Sequence, residues 1–183
     1  MGKEQRKNLG SFVKKTLFFI FLTLVVGACS TNIGEKNHIA LNGKNGEADT
    51  VTTHFSASNK TLKLANSKPF VLFFISTNCG ACDEAVPYMN YFEEKYADRF
   101  EVIGVMNGGL RFDEGLAVLK KKNIDFKVIT EIKSVDYLSR AVGGIYGTPV
   151  FYIYDKDGIL KKKFLGLTPQ SKLEESIRNI IQA

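Results

Sequence analysis

Two apolar runs flank an amphipathic stretch between Phe70 and Met106, and few architectures accept that arrangement. The first, FVLFFIS (Phe70 to Ser76), follows Pro69 and is apolar at every position but its last. A strand of that composition must be covered on both faces, which a sheet layered between helices provides. From Gly80 to Tyr96 the apolar residues Ala85, Met89, Phe92 and Tyr96 recur at helical spacing, with Pro87 inside and a kink expected there. The second run, FEVIGVM (Phe100 to Met106), completes a strand–helix–strand unit.

The remaining pattern extends this unit in both directions. Phe112 to Lys122 reads as a helix, Phe126 to Ile129 as a short strand and Val135 to Val142 as another helix. VFYIY and ILKKKF are joined by DKDG, a hairpin turn, and Tyr146 just upstream is expected to pack. Thr168 is expected to cap a last helix with Pro169 in its first position and Leu173, Ile177 and Ile180 as its apolar stripe. Upstream, Thr50 to Leu64 alternates around SASNK, as an edge hairpin does. The sum is an α/β domain with a mixed central sheet, helices on both faces and an N-terminal β-hairpin.

The first 28 residues have a different character. A basic segment to Lys15 precedes the apolar TLFFIFLTLVV, then Gly27, Ala28 and Cys29. The apolar run is short for a bilayer span, and its flanks match a secretory signal. Val26 to Cys29 resembles the lipobox of bacterial lipoproteins, in which the cysteine is lipidated. Residues 1–28 are therefore expected to be a signal peptide. Residues 29–49, polar and rich in Gly and Asn, are expected to be a lipidated N-terminus and flexible tether, and residues 50–183 the folded domain. Of the net charge of +6, residues 1–28 carry +4, so the basic balance argues for no nucleic-acid partner.

With Cys29 blocked by lipid, Cys79 and Cys82 are the two cysteines that remain, in STNCGACDEAVP. As a structural staple the pair is poor, because so short a loop contributes roughly 2 kcal/mol against about 3 for a 15-residue loop. A closed zinc site needs four ligands. No second cysteine pair exists, and His38 and His54 fall in the expected tether and edge hairpin, so no metal is assigned. Electron exchange fits better. Cys79 stands where a buried strand ends and a helix begins, where unpaired N–H groups and the helix dipole favour thiolate. Cys82 is one turn later, and Gly80 and Ala81 are small enough for a partner chain to approach. Cys79 would attack a partner disulfide and Cys82 would resolve the mixed disulfide.

FFISTNCGAC, YGTPVFYIYDKDG and FLG before a terminal helix resemble the thioredoxin fold in its exported, membrane-tethered TlpA/DsbE-like branch, over about Thr50 to Ala183. The resemblance implies that Pro149 is cis and that the backbone at Thr148 pairs with substrate. It also implies that the helix and strand between Asn107 and Thr130 are this branch's insertion. It implies a lipid-anchored, extracytoplasmic thiol–disulfide oxidoreductase, monomeric and without a diffusible cofactor. Protein dithiols and disulfides would be its substrates and a membrane protein its electron donor. Reduction is the favoured direction, with apocytochrome c among the conceivable substrates. An oxidase or isomerase using the same residues, or a non-catalytic client- or metal-binding module, stays open. The chain departs from the family at three positions. Asn78 replaces the usual Trp, Phe73 stands where thioredoxin has a buried acid, and Ala85 stands where cytochrome c maturation reductases carry Glu, with Glu84 one place earlier. Asp83 and Glu84 near the helix start would oppose a thiolate at Cys79 electrostatically, or serve as ordinary first-turn acids that favour the helix dipole, the preferred reading for Asp83.

Overall fold

Phe70–Ser76 (β4) lies inside an eight-stranded mixed sheet in the computed structural model, which describes residues 34–182. The other strands are β1 (Gly34–Asn42), β2 (Ala48–Ser56), β3 (Thr61–Leu64), β5 (Glu101–Asn107), β6 (Lys127–Ile129), β7 (Val150–Tyr154) and β8 (Leu160–Leu165). The helices are α1 (Gly80–Tyr96), α2 (Phe112–Lys121), α3 (Ile132–Ala141) and α4 (Gln170–Ile181). Across the sheet the strands run β3-β2-β1-β6-β5-β4-β7-β8. β4, β5 and β6 are mutually parallel, and β7 runs antiparallel to β4. Among the described residues no helix is long and apolar enough to cross a membrane.

The unbroken apolarity of β4 follows from its position. Val71, Phe73 and Ile75 point into a core closed by α1, α2 and α4 through Met89, Phe92, Leu119, Leu173 and Ile177. Phe70, Leu72 and Phe74 face the opposite core, closed by Val135 and Leu138 of α3 and by Leu62 and Leu64 of β3. Helices therefore cover both faces. Each fully buried large side chain contributes about 1.5–3 kcal/mol. The ring of Phe73 also stacks on Phe151 with centroids 4.7 Å apart, and Phe70 on Tyr154 at 4.9 Å. α1 continues through Pro87 to Tyr96 as one helix. The edges of the sheet are β3, four residues long, and β8, whose Lys161, Lys162 and Lys163 are all exposed. Consecutive lysines on an edge strand discourage pairing with another chain.

The expected helix and strand after Asn107 are present as α2 and β6, and the hairpin between Thr50 and Leu64 as β2 and β3. The tether is not observed over its described part. Residues 34–42 form β1, hydrogen-bonded between β2 and β6. The physical reason lies in which residues point inward. His38, Ala40 and Leu41 fill the buried positions, while Ile39, the other bulky hydrophobe, is 61% exposed. A strand that buries a histidine, an alanine and one leucine, and exposes its isoleucine, carries little hydropathic signal. Cys29 and the signal sequence lie outside the described residues.

His38 is accordingly a core residue of the sheet. Its Nε2 lies 2.9 Å from Thr53 Oγ1, its ring centroid is 5.4 Å from that of Tyr137, and Nδ1 has no hydrogen-bond partner among the described residues. Burial, assisted by the nearby Lys36 cation and opposed by Glu131, lowers its pKa to about 4. At the other end of the chain, Thr168 does not cap α4. Pro169 holds the cap position, and the Thr168 hydroxyl donates to the Gly166 carbonyl at 3.2 Å.

Candidate active site

β4 ends at Ser76, and after Thr77 and Asn78 the chain turns into α1 at Cys79. Cys79 has extended backbone angles (φ −140°, ψ 97°), as a helix N-cap does. Its Sγ accepts a hydrogen bond from the Cys82 N–H at 3.2 Å, and its carbonyl accepts from the N–H groups of Cys82 and Asp83 at 3.0 and 3.1 Å. The sulfur thus occupies the place of a capping oxygen, among the orphan donors at the positive end of the helix. Cys79 and Cys82 are joined by a disulfide, with Cα atoms 5.2 Å apart. The two sulfurs are not equivalent. Cys82 is buried at 2% exposure, whereas Cys79 is partly exposed between the exposed Asn78 and Gly80, with Ala81 half-buried behind them. An incoming chain meets Cys79 first.

The second half of the site arrives from β7. Phe74 pairs with Val150, and the same antiparallel register carries Thr148 opposite Ser76, whose hydroxyls lie 3.2 Å apart. The Thr148–Pro149 peptide bond is cis. Pro149 is buried and its carbonyl accepts from Gly166 N–H at 2.8 Å. Among the described residues the backbone N–H and C=O of Thr148 have no backbone partner, so they are available to an extended chain. Tyr146 does not pack as expected: it is 98% exposed beside this loop. The cysteine turn and the proline loop, about 70 residues apart in the chain, thus share one end of the sheet.

The departures noted in the sequence have clear places. Phe73 and Ala85 are fully buried in the α1 core, and Glu84 is exposed. Asp83 is held by Lys122, the residue that ends α2, with Nζ 2.5 Å from the carboxylate. Both line a cleft of about 810 Å³ together with Cys79, Val86, Pro87 and Val118. The sequence offered no signal for this pair or for Ser76–Thr148, because each joins residues far apart in the chain. Among the described residues, no three His, Cys, Asp or Glu side chains gather as a metal site would require.

The Redoxin family model matches residues 44–181 of this chain. The thiol-disulfide oxidoreductase YkuV of Bacillus subtilis is 27% identical over 121 residues, spanning 65% of this chain and 81% of that protein. The thiol-disulfide oxidoreductase ResA of Bacillus thuringiensis is 28% identical over 132 residues, spanning 71% and 73%. Among solved structures, a Chlorobium tepidum protein described as a candidate thiol:disulfide interchange protein DsbE superposes with a TM-score of 0.57. It is 26% identical, covering 83% of this chain and 99% of that one. Matched over most of its length, and carrying a thioredoxin-like sheet with a Cys-x-x-Cys disulfide at the start of α1, the chain belongs to the Redoxin family.

Proposed function

We propose that this protein is a lipid-anchored, extracytoplasmic thiol–disulfide oxidoreductase that acts as a reductase of protein disulfides. The observation that carries the exchange chemistry is the Cys79–Cys82 disulfide at the helix N-terminus, one sulfur accessible and the other buried. In the reduced protein the Cys79 thiolate attacks one sulfur of a partner disulfide. That S–S bond breaks, its second sulfur leaves as a thiolate and takes up a proton, and a mixed disulfide joins Cys79 to the partner. Cys82, losing its proton, then attacks the Cys79 sulfur. The partner departs as a dithiol and the Cys79–Cys82 disulfide forms, so two electrons have passed to the partner. Thr148 offers its free backbone to the partner chain, Pro149 fixes that loop, and Gly80 and Ala81 leave room for its approach.

The chemistry needs no diffusible cofactor, because the Cys79–Cys82 pair itself carries the two electrons in its reduced, dithiol state. It does need a dithiol donor to reset the pair. A membrane protein that brings electrons from the cytoplasm fits a domain anchored at Cys29, and a monomer suffices. Cytochrome c maturation is one setting in which such a reductase would work; normal cytochrome c assembly in a deletion strain would exclude it. The test of the exchange reading is Cys82→Ala. Mixed disulfides through Cys79 should accumulate in that variant and be absent from Cys79→Ala, whereas a non-catalytic binding module would trap nothing covalent in either.

A further inference from the structure

We infer that Lys122 is a positioning residue for the redox pair: by holding Asp83 in the cleft that Cys79 also lines, it sets how readily Cys79 becomes a thiolate. This rests on Cys79 being the attacking sulfur, as proposed above.

The problem that Lys122 solves is electrostatic. Asp83 follows Cys82 directly, and its N–H donates to the Cys79 carbonyl at 3.1 Å, so its carboxylate belongs to the same helical turn as the reactive sulfur. An acid there suits the helix dipole while the pair is oxidised and uncharged. After reduction it stands beside a developing thiolate, which it disfavours. Lys122 Nζ lies 2.5 Å from that carboxylate and is its partner in an ion pair.

The surroundings of this ion pair separate it from an ordinary surface contact. The Lys122 side chain is only 12% exposed, whereas Asp83 is 50% exposed. Lys120 and Lys121 beside it are exposed and make no ion pair among the described residues. An ammonium drawn out of water loses hydration and rotamer freedom, which one half-exposed carboxylate repays poorly. A second anion arising in the same cleft upon reduction completes the compensation. Cys79, Asp83, Val86, Val118, Lys121 and Lys122 share that cleft, so the ion pair and the attacking sulfur border the same space. The other charged groups on these two elements near the cleft are Lys121, which also lines it, and Glu84, exposed on α1. α2 belongs to the helix–strand segment between β5 and α3, so that segment reaches the turn of the redox pair through the contact of Lys122 with Asp83.

The test is iodoacetamide alkylation of the reduced protein against pH, with the modified cysteine mapped, in wild type and four variants. Lys122→Met should raise the pH midpoint of Cys79 alkylation, lower the rate at pH 7 about threefold or more, and make the reduction potential more negative. Asp83→Asn should move both in the opposite direction. Lys122→Arg should stay near wild type, and Asp83→Asn combined with Lys122→Met should fall between the two single variants. If Lys122→Met fails to fold, Asp83→Asn decides alone, because its carboxylate is half exposed. An unmoved or raised midpoint in Asp83→Asn, or equal shifts of one sign in both single variants, overturns the inference. Alkylation mapping to Cys82, or no trapped partner with Cys82→Ala, would instead overturn the exchange reading beneath it.

Discussion

Ser76 and Thr148 touch through their hydroxyls, 3.2 Å apart, and so pin the loop before Pro149 to the strand that leads into Cys79. The bond keeps the two halves of the site in register beyond the point where the β4–β7 ladder ends at Phe74 and Val150. Replacing Ser76 by Ala should cost about 1 kcal/mol of stability in urea unfolding. It should raise KM for a protein disulfide several-fold while leaving the reduction potential in place. An unchanged KM would show that the loop holds itself.

His38 makes the fold sensitive to acid. Its pKa is about 4 in the folded protein against 6.5 in the unfolded chain, so between these values the unfolded state binds more protons. The stability due to a neutral, buried His38 is present above pH 6.5 and is lost as pH falls to about 4, a loss of about 3 kcal/mol. Asp49 and Asp155, both held below the usual carboxylate range by lysine and backbone hydrogen bonds against a burial that opposes it, give up their contributions at lower pH still. Glu93, raised mainly by burial, works in the opposite sense. His38→Gln should flatten the pH 4–6.5 portion of a urea-midpoint profile. A profile that keeps its slope would place the acid sensitivity elsewhere.

Gly43 provides a direct check that the chain before Thr50 is structural. It lies in the turn after β1, and a Cβ there would fall within the radius of the Ile124 carbonyl oxygen. Gly43→Ala should therefore cost about 3 kcal/mol or more. A freely moving tether would tolerate the change without any shift in melting temperature.

The parts of the molecule that were legible in the sequence are those encoded by neighbouring residues. The β4–α1–β5 unit, the Cys79–Cys82 pair at the strand–helix junction and the Gly-Thr-Pro before β7 each depend on a short local pattern. β1 was illegible because its buried residues include a histidine and an alanine beside a single leucine, and because its pairing with β6 joins segments almost 90 residues apart. The same reason hid Lys122 beside Asp83 and Ser76 beside Thr148. Thr168 has the residue type of a cap, but the chain direction after β8 turns its hydroxyl back to Gly166.

Lys127 joins segments that would otherwise repel at the far end of the sheet. Its Nζ lies 3.0 Å from Asp49 of β2 and 3.2 Å from Glu101 of β5. Glu101 also accepts from Asn66 at 2.7 Å, and its side chain is 12% exposed. Lys127→Met leaves that carboxylate without its cation and should cost about 2 kcal/mol, below the value for a fully buried pair because Lys127 is itself partly wet. Adding Glu101→Gln to Lys127→Met should restore part of the loss in chemical denaturation. Additive losses would mean the pair is not coupled.

The interior place of β1 decides where this chain can be cut. A fragment beginning at Thr50 loses the strand that bridges Ala40 to Ile129 and Gly34 to Phe55. The gap leaves β6 and β2 with facing rows of unpaired backbone groups, one on the parallel core and one on a detached hairpin. Neither row has the run of exposed lysines that blunts β8, since Lys127 of β6 is already paired with Glu101, so each can take a strand from another molecule. Such a fragment should exchange strands and form intertwined oligomers, although every residue of the Cys79 and Pro149 loops is still present.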